Sequence, residues 1–138
     1  MFCRRMENLV DIAEFVSVRF ERILPDECQV NPGVYGAELA FWLCTELAKR
    51  GIVTSYPQNE DWGWYIEFIT ESGSEFAVHL GNIFGTKDHW LLSLRRYGRK
   101  MFGRKRPPFS DAAALLSGIK QTLESEPTIS GLKWLFGN

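Results

Sequence analysis

Glu60 and Asp61 stand directly before Trp62-Gly63-Trp64-Tyr65, and His79 follows on a later stretch of alternating residues. Two neighbouring carboxylates can divide the roles of general acid and general base when their surroundings split their pKa values. A small enzyme would then use Glu60, Asp61 or His79 in a pocket floored by Trp62 and Trp64. Adjacent positions on an extended chain point to opposite faces, however. Glu60 and Asp61 therefore read more simply as solvated residues that open a strand after Pro57-Gln58-Asn59. Trp62 and Trp64 read as core, where large aromatics concentrate, and Gly63 fits a point where another segment crosses closely.

Other constellations are weaker still. His79 and His89 match no helical zinc pair, and no Cys or carboxylate cluster completes a metal set, so neither metal nor cofactor is expected. No Gly-x-Ser-x-Gly turn supports a serine nucleophile. Gly81-Asn82-Ile83-Phe84-Gly85-Thr86-Lys87 has three residues between its glycines, reverses the Lys/Thr order and leads to a strand. A phosphate loop needs a helix N-terminus there, so this reading is rejected. No catalytic residue is assigned.

The second chemically loaded stretch is basic. Between Arg95 and Arg106 lie seven cations and no acid, which leaves nine Lys/Arg against seventeen Asp/Glu elsewhere, a balance of −8. Tyr97 and Phe102 interleave with Arg99, Lys100, Arg104 and Lys105, a pattern suited to a phosphate-binding loop with stacking groups. The plain alternative is a solvated connection on an acidic body. The overall pI of about 6.1 lacks the basic footprint usual in nucleic-acid binders.

The elements that position these residues follow from periodicity. Val16, Val18 and Phe20 alternate with Ser17, Arg19 and Glu21, which predicts a strand over about Ile12 to Arg22 after a tail or short turn at 1–11. A helix is expected from about Val34 to Arg50, with Asn31-Pro32 at its start and Gly51 past its end. Leu39, Ala40, Leu43, Cys44 and Leu47 share its apolar arc. Glu38, Thr45, Glu46 and Lys49 lie opposite, and Tyr35 and Trp42 fall on that polar side. A tryptophan there is either covered by another part of the fold or meets a partner.

Strands are then expected at 52–56, 62–70, 75–80 and 89–97, with a hairpin turn at Glu71-Ser72-Gly73-Ser74. Ser110-Asp111 can cap a second helix from about Asp111 to Glu124, with Ala112, Leu115, Leu116, Ile119 and Leu123 as its apolar stripe. The last ten residues are apolar enough to dock on the body. The expectation is a single α+β domain over 1–138, an antiparallel sheet of about five strands with two main helices in the order β-α-β-β-β-β-α.

The spacing Asn31-Pro-x-x-Tyr35-Gly36-x-Glu38-Leu39-Ala40-x-Trp42-Leu43, followed by Gly51 and Glu60-Asp61-Trp62-Gly63-Trp64, resembles a family of small bacterial proteins with no assigned activity. The resemblance covers residues 31–65, about a quarter of the chain. It implies a bacterial cytosolic protein and no catalytic residues.

Composition narrows the rest. A hydrophobic fraction of 45% excludes a disordered chain. Glu7, Asp11 and Glu14 interrupt any signal-peptide core, and no run approaches the ~18 apolar residues of a membrane span. Cys3, Cys28 and Cys44 are odd in number and make no C-x-x-C, which fits a reducing cytoplasm.

The leading expectation is a non-enzymatic protein-interaction domain of unknown partner. One specific version is an immunity-type protein that neutralises a toxin, its acidic surface masking a basic nuclease. Its contact residues would be Tyr35, Glu38, Trp42 and Glu46. Nucleic-acid binding through Arg99, Lys100, Arg104 and Lys105 is the alternative, and the small enzyme is the second.

Overall fold

The computed structural model describes residues 9–20, 35–60, 63–83, 85–97 and 107–137. Among these residues, six strands form one antiparallel sheet in the order β2-β3-β4-β5-β1-β6: β1 is Leu9–Val16, β2 Gln58–Glu60, β3 Gly63–Ile69, β4 Glu75–Asn82, β5 His89–Tyr97 and β6 Ser130–Trp134. Two helices accompany it, α1 over Ala37–Lys49 and α2 over Ala113–Glu124. The fold is α+β, as the alternation of the central strands predicts.

One face of the sheet makes the core. Phe15, Ile66, Phe76, Val78, Leu80, Trp90, Leu92 and Leu94 are buried and join one cluster with Leu39, Leu43 and Leu47 of α1 and Leu115, Ile119 and Leu123 of α2. Strand residues two apart point to the same side, so both helices pack against this single face. Gly118 sets how closely they meet: a Cβ there would stand 2.3 Å from Ile52 Cδ1 and 3.2 Å from Leu47 Cδ2.

Several local expectations are corrected. β1 starts at Leu9, inside the supposed tail, and ends at Val16. Its register shifts between Asp11 and Ala13, so Ile12 and Ala13 are both buried although adjacent. Such a bulge breaks the two-residue period. Past it the chain turns, leaving Val18 63% exposed while Phe20 is buried. Trp90 Nε1 donates to the Ser17 carbonyl at 3.0 Å and closes this strand end.

Helix α1 ends as its sequence predicts. Gly51 adopts φ +81°, its N–H donates to Ala48 O, and Ile52 N–H donates to Leu47 O. That pair of bonds is a Schellman closure, which needs a left-handed residue and so favours glycine. The helix begins at Ala37, after the non-helical Tyr35 and Gly36 and so later than expected; Asn31, Pro32 and Val34 lie outside the described residues.

Residues 52–56 are not a strand. Ser55 N–H donates to Glu67 O, but the returning Glu67 N–H goes to Ser55 Oγ rather than to a backbone carbonyl. The hydroxyl replaces a ladder acceptor and Pro57 has no N–H, so pairing starts only at Gln58. At the second helix, no side chain caps the start. A 3₁₀ turn over Phe109–Ala112 leads into α2, and Asp111 instead accepts from Ser74 Oγ at 2.7 Å. The apolar C-terminus supplies a sixth strand, β6, paired antiparallel with β1.

Candidate functional site

The polar side of α1 holds Glu38, Trp42 and Glu46 one turn apart each. Trp42 is half-buried against its own chain: the Phe20 ring centroid lies 4.9 Å away, and the Arg19 guanidinium stands 5.6 Å from the Trp42 ring. Arg19 also pairs with Glu126 beyond α2. Glu46 pairs with Lys49 at 2.8 Å and Arg50 at 3.6 Å, and the Lys49 hydrogen bond holds its carboxyl below the usual range. Tyr35 is only 6% exposed, and its N–H donates to Asn82 Oδ1. Of the residues expected on this face, Tyr35 is therefore part of the core and Trp42 is largely engaged. Asp61, Arg99, Lys100, Arg104 and Lys105 lie outside the described residues.

The other face of the sheet is uncovered by either helix. Strand register sets its residues in rows across the strands. One row runs Gln58, Tyr65, His79, Ser93 and Asp11; the next runs Glu67, Ala77, Arg95 and Leu9; a third holds Ile69, Glu75 and Tyr97. Glu60, Gly81, Leu91, Glu14 and Lys133 continue the surface on the other side of the first row.

Side-chain bonds tie these rows together. Tyr65 Oη donates to Gln58 Oε1 at 3.0 Å, and Gln58 Nε2 donates to Glu67 Oε1 at 3.0 Å. Ser93 Oγ donates to Asp11 Oδ1 at 2.8 Å, and His89 Nε2 meets Glu14 Oε1 at 3.1 Å. Arg95 is exposed, with its guanidinium 4.9 Å from the Tyr97 ring centroid.

The electrostatics of this face favour neutral rings. Burial first, then the positive charge of Arg95, lowers the His79 pKa to about 4. Burial raises Tyr65, helped by the negative Glu67 and Glu60. Burial likewise raises Tyr97 against the opposing pull of Arg95. Near neutral pH, His79 therefore offers an uncharged imidazole and both tyrosines keep their hydroxyl protons.

Glu60 and His79 share this face, as an enzyme using them would need, but β3 runs between their strands. Two strand spacings, about 10 Å, separate the backbones, and Tyr65 stands in the intervening column. Among the described residues, no three His, Cys, Asp or Glu side chains come together as a metal set.

The open face escaped residue-by-residue reading because its members come from six strands. Alternation alone turns Tyr65, Glu67 and His79 away from the core. What it lacks is the register that makes them neighbours of Arg95 and Tyr97.

No protein-family model, curated protein or solved structure matches the chain. Among the described residues, no helix is long and apolar enough to cross a membrane.

Proposed function

We propose that the chain is a non-enzymatic protein-interaction domain, of the immunity type that neutralises a toxin by covering it, and that it docks through the open face of its sheet. One observation carries this reading: Tyr65, Arg95 and Tyr97 stand on antiparallel strands, on the side that neither helix covers. Tyrosine and arginine are favoured interface anchors, and strands that already hold them in place reduce the ordering cost of binding. The α1 face is the weaker surface, because Trp42 already packs on Phe20 and Glu46 already pairs with Lys49 and Arg50.

Photo-activated cross-linkers placed singly at Tyr97 and at Thr45, an exposed α1 position, test this in cells that make the protein. The expected result is a discrete protein adduct from Tyr97 and none from Thr45. Adducts from Thr45 alone would move the contact to α1, and no adduct from Tyr97 would remove the open face from consideration.

A further inference from the structure

We infer that Arg95 anchors the docking face and that the partner protein meets it with the carboxylate of an aspartate or glutamate. This rests on the docking reading above and adds the chemistry of one contact. Arg95 stands on the open side of β5 and is exposed. Its cross-strand neighbours are Ala77 on β4 and Leu9 on β1, and neither side chain can accept a hydrogen bond. Asp11, two residues along β1, accepts from Ser93 Oγ at 2.8 Å. Among the described residues no carboxylate pairs with Arg95, whereas Arg19, Lys49 and Arg50 each pair with one. The guanidinium lies over the Tyr97 ring, 4.9 Å from its centroid. Its flat face is thereby occupied, while its N–H donors lie around its edge.

Water satisfies an exposed guanidinium, and a partner that covers this face removes that water. An unpaired charge is costly to bury, so whatever covers Arg95 must supply an acceptor. A carboxylate fits best, because it neutralises the charge and accepts two parallel N–H bonds from the guanidinium fork. Ile69 favours a protein as the source of that carboxylate. It is 58% exposed, at the β3 end of the row that runs through Glu75 to Tyr97. Two strand spacings, about 10 Å, separate it from Tyr97. A free anion or a nucleic-acid phosphate would satisfy Arg95 and leave the Ile69 side chain in water. A protein surface covers both.

The test places a photo-activated cross-linker at Ile69, which leaves Arg95 and Tyr97 intact, in cells that make the full chain. Arg95→Gln should lower the yield of the protein adduct roughly tenfold or more. Arg95→Lys, which keeps the charge but loses the fork, should lower it less. Both variants should melt with the natural chain, because the side chain is exposed. Carbodiimide treatment of the captured Arg95→Lys complex should join the amine at position 95 to an aspartate or glutamate of the partner, located by mass spectrometry. An adduct yield unchanged by Arg95→Gln, or no coupling at position 95, would overturn the inference while docking at this face stands. Capture of a second copy of the chain, or of a phosphorylated residue at position 95, would overturn it in the same way. So would an adduct from Tyr97 alone, because the partner would then leave Ile69 uncovered. Adducts from neither Ile69 nor Tyr97 would remove the docking reading itself, and the inference with it.

Discussion

Tyr65 and His79 face each other directly across the β3–β4 pair, with ring centroids 6.1 Å apart and planes tilted by 55°. Each ring takes up space that water would otherwise use to stabilise the charged form of the other. The tyrosine is pushed up and the histidine down to about 4. Arg95 reinforces the second shift from the neighbouring strand. Near neutral pH this pair of rings on the open face therefore carries no charge.

The His79 shift makes stability pH-dependent with a definite sign. The unfolded chain binds a proton near the ordinary histidine value of about 6.5, while the folded chain does not until about 4. Stability is full above 6.5 and falls as pH drops through that window, levelling off below about 4. We expect His79→Gln to flatten urea-denaturation midpoints between these limits relative to the natural chain, by about 2 kcal/mol at the acid end. Parallel pH curves for the two proteins would mean that His79 titrates normally.

Gly63 predicts a second, local effect. Its φ of +153° is one that L side chains rarely adopt, and a Cβ would stand 2.7 Å from the Leu80 carbonyl oxygen. The obstacle is backbone in the neighbouring strand, so it cannot swing aside. Gly63→Ala should cost about 2–3 kcal/mol. Gly51→Ala, at φ +81° with nothing within 4 Å, should cost about 1 kcal/mol, from left-handed strain alone. Thermal melts that rank the two variants the other way round would contradict the close approach at Leu80.

How far the fold is legible in sequence depends on whether a strand keeps its two-residue period. β3, β4 and β5 keep it, with Ile66, Phe76, Val78, Trp90, Leu92 and Leu94 all on the buried side, so alternation reads them correctly. β1 does not, because the extra residue near Ile12 reverses the alternation beyond it. At 52–56 the β-branched residues look strand-like, yet Ser55 satisfies Glu67 with its hydroxyl. β6 reads Ser-Gly-Leu-Lys-Trp, with a glycine in an edge position, and is a strand only because β1 offers it a free edge. The helix stripes are legible because burial follows the 3.6-residue period. The outcome for Trp42 is not, since its cover, Phe20, comes from a distant turn. The open face is half legible: outward residues can be named, but neighbours require register.

Trp90 joins core packing to strand closure. It is fully buried, and its indole N–H is the donor to Ser17 O. Trp90→Phe keeps an aromatic but removes the donor and leaves space behind, and should cost about 2–3 kcal/mol. Amide exchange should rise first at Ser17, whose N–H bonds to Asp88 O at this strand end. Uniform acceleration across all strands would show that the bond contributes nothing local.

Trp42 separates a packing role from a contact role. Trp42 is partly buried against its own chain: Phe20 lies at 4.9 Å, with Arg19 over both rings and anchored to Glu126. Trp42→Ala should therefore lower stability by about 2 kcal/mol, less than the 3–5 kcal/mol typical of fully buried aromatics. Arg19→Ala, which removes an exposed ion pair and a cation–π contact, should cost about 1 kcal/mol. Because the two side chains touch, the double variant should cost less than the sum, and the shortfall measures their coupling. Urea titrations of the four proteins give all three quantities. A Trp42→Ala variant as stable as the natural chain would mean that the indole is held out for a partner, and would return the contact surface from the open sheet face to α1.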